Sequence, residues 1–265
     1  MSEPRRFFDR RGWLVLRGAV SAEPLKRITE IIDRLLEARA DCGSAPSDHH
    51  GKSIWQIPGM CSQNDRLLAH VRDLGAVVAD LLRADRIQLL QDTLIVKPPR
   101  VGAPIELHQD YTYLGFLEPP NAVSVRLSLS PSTVDAGCMY VIDRSHRWGL
   151  NGRLALFSAQ LQQGVAERLP APLRARIVKD RIPLELAPGD VSIHHCLTHH
   201  GSFENTGDTL QRTIVTHIID GACRLLPDRL PDHAVHYFDT NADGHLSPTS
   251  FPVLFEREVS LSAQP

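Results

Sequence analysis

The chain has 265 residues, 42% hydrophobic and 23% charged, an ordinary globular composition with enough length to bury a core as one domain. Lys+Arg 29 against Asp+Glu 31 leaves a formal charge of -2, so no basic field draws in nucleic acid or an anionic membrane, and a small-molecule substrate is the expected partner. Cys42, Cys61, Cys138, Cys196 and Cys223 are odd in number, scattered and without a CxxC pair, and no apolar run approaches the roughly 20 residues that span a bilayer; a soluble protein in the reduced cytoplasm is expected.

In chain order, WLVLR from Trp13 to Arg17 reads as a short strand. SAEPLKRITEIIDRLLEARA then places Leu25, Ile28, Ile31, Ile32, Leu35 and Leu36 on one helical face, with Ser21 as N-cap and Pro24 tolerated in the first turn. Asp41 to Ser62 reads as a long loop around His49, His50 and Trp55, and a second helix is expected from Asp65 to about Arg83. From Arg86 the texture changes to short β-type runs separated by Pro, Gly, Asn and Asp turns: IQLLQDTLIVK, AVSVRLSLS, CMYVI, IPLEL, DVSIHH and RTIVTHIID. A mostly helical insertion from Leu150 to Lys179 interrupts them. Many short strands without regularly alternating helices predict a mainly β fold with flanking helices, a sandwich, barrel or jelly roll. One domain is expected over 1–265, with helical support to about 85, a β core over 86–220 and a tail over 221–265.

AVSVRLSLS alternates cleanly, with Val123, Val125, Leu127 and Leu129 opposite Ser124, Arg126, Ser128 and Ser130. The polar face can lie in solvent. In a jelly roll that encloses a polar site it can instead turn inward while the apolar face packs on the helices, and this second arrangement is the one expected.

Chemistry concentrates at two places. In LHQD, at the end of a strand-like segment, His108 and Asp110 project to the same side of an extended chain and can converge on one ion. They need a third partner, and a histidine from the later HHCLTHHGS would complete a 2-His-1-carboxylate triad that leaves positions open on iron. The residues alone leave four candidates there, His194, His195, His199 and His200. Any of them can equally be a histidine satisfied by local hydrogen bonds.

LHQDYTYLGF, the glycine of DAGCMYVI, then SHRWG, PGD, HGS, an Asn and a final Arg, in that order, resemble the phytanoyl-CoA dioxygenase family of iron(II)/2-oxoglutarate oxygenases. FFDRRGWLVLRGAVS resembles the family's opening, and the likeness runs from about Phe7 to Asp220. The resemblance implies a double-stranded β-helix, the jelly-roll variant, with Fe(II) held by His108, Asp110 and His200, the last because the family's distal ligand immediately precedes Gly-Ser. It implies 2-oxoglutarate and O2 as cosubstrates, with Arg212 gripping the distal carboxylate and Thr93 and Lys97 near the cosubstrate. An Arg fork suits a carboxylate better than a lysine's point charge does. Gly201 allows close backbone approach, and Ser202 can reach a carboxylate bound beside the metal. His199 should point away if the chain is extended, while of His194 and His195 one faces the cavity and the other packs outside. The family's namesake has tryptophan where this chain has Arg126; a guanidinium there implies a second carboxylate contact or an acidic substrate and argues against a phytanoyl-CoA substrate.

The resemblance implies oxidative decarboxylation of 2-oxoglutarate to succinate, coupled to oxidation, most simply hydroxylation, of a C–H bond in a small secondary metabolite. Asp110 argues against halogenation, because halogenating relatives have a small residue there. Epimerisation, cyclisation, epoxidation and desaturation share the cofactor chemistry. From another class, a cupin-like metal-binding protein that does not use 2-oxoglutarate could hold the same three ligands, and Arg212 is the residue it would not need.

DTNADGHLSPTS, from Asp239 to Ser250, follows the first half of a calcium-binding EF-hand loop, with Asp239, Asn241, Asp243 and Gly244 in place. Its twelfth position is Ser250 rather than a bidentate Glu, and Pro248 and Pro252 spoil the exit helix, so it reads as a turn-rich tail near the mouth of the site.

Overall fold

A computed structural model describes residues 1–40, 47–49, 52–59, 64–151, 169–230 and 237–258. Two antiparallel sheets carry the molecule. The larger takes β1 (Trp13–Leu16), β10 (Val191–His195), β7 (Ala122–Ser128), β12 (Gln211–Asp220), β4 (Arg86–Lys97), β3 (Lys52–Pro58) and β2 (Ser47–His49) in that order, with β14 (Val253–Glu256) also on β4. The smaller has the order β5 (Ile105–His108), β11 (His200–Ser202), β8 (Met139–Ile142), β9 (Arg181–Pro183). A two-stranded pair, β6 (Leu117–Glu118) with β13 (Arg224–Leu225), lies beside them. The two main sheets face each other across a cavity, the jelly-roll arrangement.

The alternation in β7 decides what lies on each side of the large sheet. Val123, Val125 and Leu127 join Ile193 of β10 and Ile214 and Ile218 of β12 in one apolar cluster with Ile28 and Ile32 of α2 (Ala22–Ala40), Leu67, Leu68 and Val71 of α3 (Asp65–Asp73), and Val78, Leu81 and Leu82 of α4 (Gly75–Leu82). With the outer face covered by helices, the polar residues of the strand turn inward, as expected. A period of two leaves no third choice.

Several expectations change in detail. The start folds as α1 (Glu3–Arg11), whose Ser2 side chain accepts from the Arg5 backbone N–H and whose Gly12 closes the helix at φ 80. The single helix expected from Asp65 to Arg83 is two, because the chain turns at Leu74 and Gly75 lies against Phe255, where a Cβ would meet the phenyl side chain at 2.7 Å. Part of the expected loop between Asp41 and Ser62 is strand: β3 pairs with β4, Trp55 opposite Val96 and Ile57 opposite Leu94. The side chains of His49 and His50 lie outside the described residues. β1 to β3 and β14 weave the two ends of the chain into the large sheet, so neither end is mere support or tail. The insertion after Leu150 is described from 169, where it forms α6 (Ala171–Lys179).

Asp190 of the PGD turn joins the N-terminal segment to the core. One carboxylate oxygen accepts from Gly18 N–H at 2.7 Å, and the other from Arg17 at 2.7 Å and Ala187 N–H at 2.9 Å. Gly189 has φ +88 and leaves no space for a Cβ, which would come 2.5 Å from Val20 O. No helix among the described residues is long and apolar enough to cross a membrane.

Candidate functional site

The HxD segment ends β5 and enters the short helix α5 (Tyr111–Leu114), so His108 and Asp110 project from a strand end into the cavity. On the adjacent β11, His200 lies directly opposite His108. The three side chains are buried, and one ligand atom from each falls within 4.8 Å of the others. His108 Nε2 is 3.6 Å and His200 Nε2 3.4 Å from Asp110 Oδ1.

The hydrogen bonds behind these atoms settle their tautomers. His108 Nδ1 is 2.7 Å from Glu106 O and His200 Nδ1 is 3.0 Å from Thr198 O, so each ring carries its proton on Nδ1 and presents an Nε2 lone pair. Burial pushes His200 down to about 3, which keeps it neutral. Burial alone would raise the Asp110 carboxyl, but the imidazoles around it, with His194 donating to Oδ2, outweigh it and hold the carboxyl well below the usual carboxylate range. In these tautomers two imidazole lone pairs and one carboxylate oxygen converge with no donor between them. A cation relieves that arrangement, and nitrogen–nitrogen–oxygen donors with open positions suit iron(II).

Asp110 Oδ2 is committed elsewhere. It accepts from Ser124 Oγ at 2.5 Å and from His194 Nε2 at 3.0 Å, leaving Oδ1 as the free donor. Because the Ser124 hydroxyl proton goes to Asp110, the 2.8 Å contact from Ser124 Oγ to His217 Nδ1 must be donated by His217. His217 Nε2 is then an acceptor, and the ring lines the cavity. Hydrogen bonds of this kind to a metal ligand are worth 10- to 100-fold in metal affinity. We expect Ser124→Ala to weaken iron binding by roughly that factor in a metal-buffered titration.

The HHCLTHHGS cluster resolves into four different jobs. His200 joins the triad, and His194 holds Asp110. His195 turns to the far side of β10, its ring near Phe8 and His146, and its Nδ1 accepts from Leu197 N–H at 3.1 Å. His199 points away from the cavity onto Trp148, ring centroids 5.4 Å apart. Gly201 is needed for close approach, because a Cβ there would come 2.6 Å from the Tyr140 hydroxyl and 2.7 Å from Ile105 O.

The cavity has a volume of about 860 Å³. Thr93, Arg126 and Ser202 line it, together with Gln91 and His217. Lys97 is buried behind Ser202, its Nζ donating to Ser202 Oγ at 2.7 Å and Phe203 O at 2.5 Å; burial first, then Arg126 nearby, lowers it to about 7. Arg212 lies elsewhere. Gln211, Thr213, Val215 and His217 share the cavity-side face of β12, whereas Arg212 lies with Ile214 and Ile218 on the helix side and pairs with Asp33 of α2. Counting residues from His200 across the FENTGDTLQ turn does not fix strand parity, and one residue of slip exchanges the faces.

A profile of the phytanoyl-CoA dioxygenase (PhyH) family matches residues 8–214. The chain belongs to the phytanoyl-CoA dioxygenase family. Phytanoyl-CoA dioxygenase 1 of Oryza sativa subsp. japonica is 27% identical over 255 residues, covering 82% of this chain and 88% of the rice protein. Among solved structures, the non-heme alpha ketoglutarate dependent carbocyclase SnoK from nogalamycin biosynthesis superposes with a TM-score of 0.77 at 19% identity over 96% of both chains. The epimerase SnoN, solved with Fe3+, alpha ketoglutarate and nogalamycin RO, superposes at 0.69 with 20% identity over 94% of this chain and 96% of its own. At these identities the likeness is one of fold. The PhyH match contains the triad, Arg126 and Ser202, but stops short of Tyr237, Phe238 and Phe251, which also line the cavity. These aromatics, missed in the sequence, sit with Tyr113 and Phe116; Phe238 packs on Phe116 at 4.6 Å and stacks on Phe251 at 5.9 Å. The tail thus adds an aromatic wall beyond the family match. Its Asp239–Ser250 turn is closed internally, Asn241 Oδ1 accepting from Asp243 and His245 N–H and Ser250 Oγ donating to Asp239.

Proposed function

We propose that the protein is an Fe(II)/2-oxoglutarate-dependent dioxygenase that oxidises, most simply by hydroxylation, an unactivated C–H bond of a small molecule. The observation that carries the reading is the convergence of three donor atoms, His108 Nε2, His200 Nε2 and Asp110 Oδ1, in the wall of a cavity of about 860 Å³. Family membership and the iron and keto acid bound in the SnoN structure support it. Bound iron would supply oxygen activation through decarboxylation of the keto acid, the chemistry side chains lack.

The chain's own residues bind, orient and exclude water. His108, His200 and Asp110 would leave one side of the metal open to 2-oxoglutarate and O2. Ser124 and His194 keep Asp110 turned and ionised. Tyr113, Phe116, Phe238 and Phe251 form an apolar wall suited to a ring-containing substrate, and His217 and Gln91 provide polar contacts. That wall, with SnoK and SnoN as neighbours in fold, supports a cyclic secondary metabolite over a flexible acyl-CoA. Cyclisation or epimerisation would use the same donors. A cytoplasmic setting accords with free, buried Cys138, Cys196 and Cys223.

The test is succinate formation. Protein reconstituted with Fe(II) under argon, then given 2-oxoglutarate, oxygen and a panel of polycyclic compounds, should release succinate in step with an oxidised product. Neither binding nor turnover of 2-oxoglutarate would sink the reading and leave a cupin-like metal protein in its place.

A further inference from the structure

An acid held at the metal by its oxo end has a second carboxylate to neutralise, and the expected partner, Arg212, lies on the wrong face of β12. Gln211, at the adjoining position on the cavity-side face, is uncharged and engaged with Thr213 Oγ1 at 2.8 Å. Among the described residues that line the cavity, one carries a lysine or arginine side chain: Arg126. It is 7% exposed and makes no hydrogen bond or ion pair with another described residue. Burying a guanidinium with no hydrogen-bonded partner is costly, and the molecule keeps one here, facing the space where a ligand would sit.

Ser202 adds an independent observation. A hydroxyl has two acceptor sites and one proton. Ser202 Oγ accepts from Lys97 Nζ at 2.7 Å and from Ile105 N–H at 3.1 Å, so both acceptor sites are filled. Its proton is left to donate, and Ser202 lines the cavity. Lys97 is spent on Ser202 and Phe203 O and orients that hydroxyl. The site thus offers a free planar fork and a free O–H donor, the pair a carboxylate takes best.

Position along β7 agrees. Arg126 is two residues from Ser124, whose hydroxyl holds Asp110. Two residues of strand advance about 6.8 Å. A five-carbon diacid measures roughly 5 Å between its terminal carbons at about 1.5 Å per bond. We infer that Arg126 of β7, with the Ser202 hydroxyl, anchors the distal carboxylate of the keto-acid cosubstrate, and that Arg212 is a structural residue paired with α2. The inference rests on the proposed use of 2-oxoglutarate.

The experiment reads binding on protein loaded with a redox-inert divalent ion such as Ni(II), by calorimetric titration with 2-oxoglutarate and with 2-oxobutyrate, which lacks the distal carboxylate. Wild type should prefer 2-oxoglutarate. Arg126→Met should weaken 2-oxoglutarate roughly 10- to 100-fold, the worth of a hydrogen bond to a charged group, and leave 2-oxobutyrate unchanged. Arg212→Met should change neither. Retained 2-oxoglutarate affinity in Arg126→Met, or its loss in Arg212→Met, would overturn the assignment. If Arg126→Met does not fold, Arg126→Lys decides, because it keeps the charge but loses the fork. A several-fold loss confined to 2-oxoglutarate supports the anchor, and unchanged affinity for both acids rejects it. Wild type binding neither acid overturns the cosubstrate reading itself, with no variant needed.

Discussion

Replacing His200 by alanine is expected to lower metal affinity by at least about 100-fold and to abolish iron-dependent turnover, whereas His199→Ala should retain both, since removing a ligand must exceed the 10- to 100-fold cost of removing a group behind one. The two residues are neighbours in sequence and opposites in structure. His200 presents Nε2 to Asp110 Oδ1 at 3.4 Å, with its other nitrogen held by Thr198 O. His199 packs on Trp148 and reaches no cavity atom. Removing His200 leaves two donors, His108 and Asp110, and an Asp110 whose second oxygen is already spent on Ser124 and His194. Cobalt(II) titration followed by visible absorption reads the affinity without requiring catalysis. A His199→Ala protein that loses the cobalt spectrum while His200→Ala keeps it would reverse the ligand assignment.

What the sequence disclosed follows from which physical rules act locally. His108 and Asp110 were legible because i and i+2 share a side of a strand; the residues alone left four histidines open for the third position, and His200 followed from the resemblance, whose distal ligand precedes Gly-Ser. The polar face of β7 was legible once helices were expected on its other side. His217 was open to the same reasoning, since it falls out of phase with Ile214 and Ile218 in RTIVTHI, but apolar residues around it drew attention to the core instead. The face on which Arg212 lies was not legible, because it depends on the turn before β12 and no local pattern fixes how many residues that turn absorbs. The Phe238 and Phe251 wall is a long-range contact with Phe116, for which no periodicity exists. Ser2 and Gly12, by contrast, are a local cap pair that marks both ends of α1.

Acid should destabilise the metal-free protein well above the carboxylate range. His70 of α3 is buried, and burial outweighs its contact with the Leu67 backbone and pushes it down to about 4. His195 is also pushed down to about 4, by burial first and then by His146, and its Nδ1 serves as the acceptor for Leu197 N–H, a role protonation would end. Both folded values lie below the ordinary 6.5, so between about pH 4 and 6.5 the unfolded chain binds more protons than the native one. The stabilisation is complete above pH 6.5 and drains away as pH falls toward 4. At about 1.4 kcal/mol per unit, two such groups together cost roughly 2–4 kcal/mol between pH 7 and pH 5, a large part of a typical domain's stability. Burial likewise lowers His146, His199 and His200, which add to the same slope in the metal-free protein. Urea unfolding of chelated protein at the two pH values measures the difference. His70→Leu should remove that residue's share, about 1–2 kcal/mol, while leaving stability at pH 7.5 equal or higher, because Leu67, Leu68 and Val71 around it are already apolar. An unfolding midpoint that does not move between pH 7 and pH 5 would show that these rings are not held neutral by burial.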